Sequence, residues 1–266
     1  MNKICAVISF FFLALFAPVL ATAQIETVMV QADSLPGLWK IGFPAWAYRD
    51  GTDFRFGPLV DFFCRMDGPR NDVHVYCFDI AGTVRDKGDA TFDGSLLHLA
   101  WGTMMLRVVV DATQKSPGTF AGSYGIKFAG YAVRTPDQPI ASKVALSESA
   151  PDAGGKSAFL AKLLTGIAEG APTPALVPSK IVVPPAADDL HALGPLQSVI
   201  YLGRTPTSVE YSALAKDWPG PKDRQPKMRL SNDDAYSIYA VEFSKGERLC
   251  GIHQGPDKSV DGLRCV

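Results

Sequence analysis

The chain has 266 residues, 47% of them hydrophobic, with 26 Lys and Arg against 27 Asp and Glu and a net charge of −1. So even a balance removes the electrostatic case for a nucleic-acid partner, because neutralising phosphates takes clustered Lys and Arg. The length suits one large domain or two small ones.

The first residues read as an export signal. Lys3 is followed by the almost wholly apolar run Ile4–Leu20, then Pro18 near its end and the small-x-small site Ala21-Thr22-Ala23. A basic start, a short apolar core and such a site predict a signal peptide over residues 1–23, with the mature chain beginning at Gln24. The run falls short of the roughly 20 residues of a spanning helix, and no later run approaches that length. The expectation is a soluble protein of the periplasm or cell exterior. The residue directly after Ala23 is Gln24 and not Cys, and Cys5 leaves with the signal.

Cys64, Cys77, Cys250 and Cys265 remain. An even count in an exported chain points to disulfides. Three pairings exist. The local one, Cys64–Cys77 with Cys250–Cys265, is favoured because each pair brackets a turn signal, Asp67–Asp72 in the first and Gly255–Lys258 in the second. A zinc site would need a C-x-x-C spacing with a nearby His, which is missing.

Residues 24–141 read as an antiparallel β-barrel or sandwich. Short apolar or alternating runs, cut by Gly, Asp, Asn and Pro, predict about eight strands: Leu38–Phe43, Leu59–Arg65, Val73–Ile80, Gly82–Val84, Ser95–Trp101, Met104–Asp111, Gly118–Tyr124 and Ile126–Arg134. No helical period separates them, and about 100 residues can close a barrel of eight strands. Residues 142–196 read as a joining segment. Ser157–Ala168 sets Phe159, Leu160, Leu163, Leu164 and Ile167 on one helical stripe, and a Pro-rich stretch follows. Residues 197–266 read as a small α+β domain. Thr207 and Glu210 form a capping box ahead of a helix over Val209–Asp217. Strands are expected at Ser198–Leu202, Ala235–Ser244, Arg248–Gln254 and Val260–Val266. The fold class is therefore mainly β with an α+β part.

Gly37 and Trp39 open the first strand in the pattern G-x-W. This resembles the signature of lipocalins and their calycin relatives over residues 35–135. The resemblance implies that Trp39 plugs one end of a barrel and that an Arg at the end of the last strand, here Arg134, packs over its ring. It also implies an apolar ligand held by inward side chains, for which Phe56, Phe63, Leu97, Leu99, Met105 and Phe128 are the candidates. The same six residues could instead fill a packed core, since a barrel of this size allows both.

Catalytic signals are weak. His74 and His98 lie on strands without a partner at metal-ligand spacing, and no metal or cofactor site is expected. His253 precedes Asp257 across a turn, the nearest approach to a dyad. No G-x-S-x-G elbow occurs. Asp188-Asp189 and Asp233-Asp234 are adjacent pairs, and neighbours on a strand face opposite ways. The basic loop Lys222, Arg224, Lys227 and Arg229 reads as solvated. The leading expectation is a non-enzymatic exported protein that binds a small apolar ligand. The alternatives are an envelope interaction or inhibitor module and, third, an envelope hydrolase.

Overall fold

The computed structural model describes residues 35–50, 53–69, 71–78, 84–86, 89–102, 107–128, 131–146, 152, 156–170, 182–183, 185–222, 235–254 and 260–266. The signal segment, Met105, the Gly255–Lys258 turn, Asp233-Asp234 and most of the Pro-rich and basic stretches lie outside them.

Strands β1 (Gly37–Pro44) and β2 (Ala47–Asp50) run out, and β3 (Asp53–Phe56) and β4 (Leu59–Asp67) run back, as one long hairpin in a single register. The junctions keep the ladder going, with the Ala45 N–H donating to Pro58 O at 2.8 Å and the Gly57 N–H to Trp46 O at 2.8 Å. The chain then meanders through β5 (His74–Phe78), β6 (Val84–Asp86), β7 (Asp89–Phe92), β8 (Leu96–Gly102), β9 (Arg107–Ser116), β10 (Thr119–Phe128), β11 (Tyr131–Arg134) and β12 (Gln138–Lys143). Successive strands of this meander pair antiparallel except at β6–β7 and β11–β12, and β12 returns to β1.

Two of these strands are broken. Both β11 and β12 line β10, parted by Thr135–Asp137. On the other side β6 pairs with β5, and the Val73 N–H, just ahead of β5, donates to Ala90 O of β7 at 3.1 Å. With each broken strand counted once, eight antiparallel strands make a nearly closed barrel.

A second sheet follows, in the order β13 (Val182–Val183), β17 (Val260–Cys265), β16 (Gly246–Gln254), β15 (Ser237–Phe243), β14 (Leu196–Arg204). Its central strand β15 is buried on both faces. Ile238, Ala240 and Leu249 lie against the outer wall of the barrel, with Leu38, Phe63 and Phe78. Tyr239, Val241, Phe243 and Ile252 lie under helices α1 (Lys156–Ala168) and α2 (Ala187–Leu193), which bury Leu160, Leu163, Leu164 and Leu190. The predicted stripe of α1 is the face that packs, although Phe159 sits at its half-buried edge. Burial of one such leucine contributes about 1.5–3 kcal/mol. Residues 32–266 form one compact unit.

Helix α3 (Ser208–Leu214) starts at the expected capping box. The Thr207 side chain accepts from the Glu210 N–H, and the Glu210 carboxylate accepts from the Thr207 N–H. Arg204 adds two bonds to that carboxylate, at 2.6 and 2.7 Å. The disulfides are the local pair: Cys64–Cys77 joins facing positions of β4 and β5, and Cys250–Cys265 joins facing positions of β16 and β17. Closing loops of 13 and 15 residues stabilises each by roughly 3 kcal/mol in the chain-entropy account.

Candidate functional site

Side chains alternate across a strand, so the register sorts the barrel wall into an inner and an outer face. Trp39, Ile41 and Phe43 of β1 point inward. They meet Cys64 and Met66 of β4, Cys77 of β5, Leu97 and Leu99 of β8, Val110 and Ala112 of β9, and Phe120 and Tyr124 of β10. The Trp39 end is sealed. The indole has no exposed surface, its Nε1–H donates to Leu35 O at 2.8 Å, and the Phe120 ring lies 5.5 Å away. Cys64, bridged to Cys77, stands directly opposite Trp39.

Exposure grows toward the far end. Trp39 and Ile41 are at 0% and Phe43 at 9%, while Phe56, Leu59 and Phe62 pack half-buried against the same inner cluster. Phe43 and Phe62 meet edge to face at 5.4 Å. The β2–β3 extension borders this end and is tied down by the α3 segment. The Trp46 Nε1–H donates to Leu214 O at 3.1 Å, the Tyr211 hydroxyl donates to Ala45 O, and the Trp46 and Trp218 rings meet edge-on.

The structure brings three of the six candidate ligand residues to one lining. Leu97 and Leu99 lie in the deep, fully buried part, and Phe56 lies at the far end. Phe63 is not with them. It faces outward from β4, stacks near Gly203 and belongs to the layer between barrel and second sheet. Its neighbour Cys64 takes the inward position, and alternation forces Phe63 out. Phe128 ends β10, its side chain outside the described residues, as is all of Met105.

The cation over Trp39 is Lys143, with Nζ 5.8 Å from the ring centroid, and not Arg134. The broken last strand explains the correction. It runs on past Arg134 to Lys143, which faces Trp39 across the β1–β12 pair. Arg134 instead crosses the outer wall to the Asp111 carboxylate and donates to Ser123 Oγ at 3.3 Å. His98 Nδ1 lies 2.5 Å from the same carboxylate. Burial pushes the Asp111 carboxyl up, but the bonds from His98 and Arg134 outweigh it and hold the pKa below the ordinary carboxylate value. This row ties four strands together on the outside of the barrel. Ser123 Oγ accepts from Arg134 and faces Asp111 across the β9–β10 pair, and among the described residues no hydrogen bond joins it to His98 or Asp111. His253 lies 5.5 Å from the Tyr236 ring, and Asp257 is outside the described residues.

A separate concavity of about 540 Å³ lies where the ends of α1 and α2 meet the edge of the second sheet. Leu164, Leu190 and Phe243 form its floor, and Thr165, Glu169 and His191 stand at its rim. Among the described residues, no cluster of three His, Cys, Asp or Glu could hold a metal ion. Likewise, no described helix is long and apolar enough to cross a membrane. No protein-family model, curated protein or solved structure matches the chain.

Proposed function

We propose that the protein is an exported, lipocalin-like carrier that takes a small apolar ligand at the barrel end opposite Trp39. The observation that carries this is the one-ended interior. Inward side chains are sealed beside Trp39 and become accessible toward Phe43, Phe62 and Phe56. Such a wall offers a ligand apolar contact along its sides and a floor that water does not reach. The deep positions Leu97, Leu99, Val110 and Ala112 carry almost no exposed surface, so a ligand gains room by displacing Phe43 and Phe62. Two disulfides favour an oxidising, extracytoplasmic compartment.

The second reading places the ligand in the α1–α2 groove, whose volume of about 540 Å³ lies within the usual range for ligand sites. Titration with the fluorescent apolar probe phenylnaphthylamine separates the two. The barrel reading expects saturable binding that weakens tenfold or more in Phe56→Asp, because a charge is introduced into an apolar contact. It expects no change in Ala168→Trp, which fills the groove. The opposite pattern moves the site to the groove. No saturable binding at all removes the carrier reading and leaves an interaction module in its place.

A further inference from the structure

Tyr124 points into the barrel from β10, wholly buried, and its hydroxyl has no hydrogen-bond partner among the described residues. Its place along the barrel follows from the strand order. Both β1 and β10 run antiparallel to β12, so they run parallel to each other. Phe120 packs on Trp39 at the sealed end. Tyr124 is four residues further on, about 13 Å along the strand, and so lies on the ligand side of the seal. Its backbone is pinned there, the N–H donating to Thr135 Oγ1 at 2.9 Å and the carbonyl accepting from the Thr135 N–H at 2.7 Å. Burial holds the phenol well above its ordinary range, so the group keeps its proton.

A buried hydroxyl is normally satisfied, and one left unpaired calls for an explanation. Here the neighbours in the core are apolar, and the one charge that bears on the phenol is the Asp61 carboxylate, an anion. The buried core residues of the inner wall are hydrophobic apart from the Tyr124 hydroxyl, and Gln114, paired with Phe120, has a buried Nε2 that also lacks a partner among the described residues. None of these carries a cation, so a ligand carboxylate would be desolvated without compensation. A neutral acceptor meets no such cost.

We infer that the ligand is an apolar molecule bearing one neutral hydrogen-bond acceptor, a ketone, aldehyde or ester carbonyl, which accepts from the Tyr124 hydroxyl. The inference rests on the carrier reading proposed above. Two aromatic probes test it on the mature protein. Prodan carries a ketone, and phenylnaphthylamine has no carbonyl. Wild type is expected to bind both. Tyr124→Phe keeps the ring and removes only the hydroxyl. It is expected to weaken prodan by about threefold to tenfold, the worth of one hydrogen bond, and to shift its bound emission to the blue. Phenylnaphthylamine should stay within about twofold, since it makes no such bond. If prodan keeps its affinity and emission while both probes bind, the inference is overturned and the carrier reading stands. Equal weakening of both probes overturns it too, because the loss is then not specific to the carbonyl. If wild type binds neither probe, the carrier reading fails and takes the inference with it.

Discussion

Gly251 offers the sharpest test of how the barrel and the second sheet meet. A Cβ at this position would stand 2.5 Å from Cε1 and 2.9 Å from Cδ1 of Phe78. The ring cannot swing aside, since Phe78 has no exposed surface and is held in the layer with Leu38, Ile238 and Leu249. Gly251→Ala therefore overpacks a filled interface, which costs about 1–3 kcal/mol. For a chain of this size each kcal/mol lowers the melting temperature by roughly 2–4 °C, so a fall of about 2–12 °C is expected. The assay is thermal unfolding with the disulfides intact and the scan rate fixed. The double variant Gly251→Ala, Phe78→Leu should recover part of the loss, with a coupling of about 0.5–3 kcal/mol, because the smaller side chain makes room for the methyl. An unchanged melting temperature, or a double variant equal to the sum of the singles, would refute the docking of barrel wall on sheet through these residues.

Two further outcomes follow from the polar groups of the barrel. Without added ligand, Tyr124→Phe should raise stability by about 1–3 kcal/mol, the cost of an unsatisfied buried hydroxyl; a lower melting temperature would mean that the hydroxyl has an internal partner. Asp111→Asn should cost roughly 1–2 kcal/mol at neutral pH, because His98 and Arg134 lose their carboxylate. The folded-state pKa of Asp111 is depressed. Its contribution is therefore present above the unfolded value near 3.9 and is lost as pH falls through the lower folded value. Denaturation curves should show wild type and variant converging below about pH 4. A gap that stays constant to pH 2 would exclude the carboxylate as its source.

Much of the architecture is legible in local pattern. Alternation along Leu59–Arg65 and Val73–Ile80, each ending in turn residues, identifies strands whose cysteines must face each other once a tight turn joins them, and Cys64–Cys77 follows. The stripe of α1 and the capping box of α3 are equally local, since the first needs only the helical period and the second only a Thr and a Glu three residues apart. Boundaries are less so. Gly125 reads as a break between two strands, yet it sits mid-strand in β10, paired with Val109 and Arg134. The real interruption falls at Thr135–Asp137, and β12 beyond it shows too little alternation to announce itself. Helix α2 is too short for a period to register.

The sequence by itself determined that this chain forms a barrel-like β region with local disulfides and a short α+β part, because strand period, turn residues and caps act over a few residues. Only the tertiary structure decided which face each strand turns inward. Phe63 and Leu97 read alike as apolar strand residues, yet one meets the second sheet and the other the barrel core, since pleat direction depends on register with partners far along the chain. The same long-range pairing placed Lys143 rather than Arg134 over Trp39. It also left the buried Tyr124 hydroxyl with no hydrogen-bond partner among the described residues, and no local pattern reveals a partner's absence.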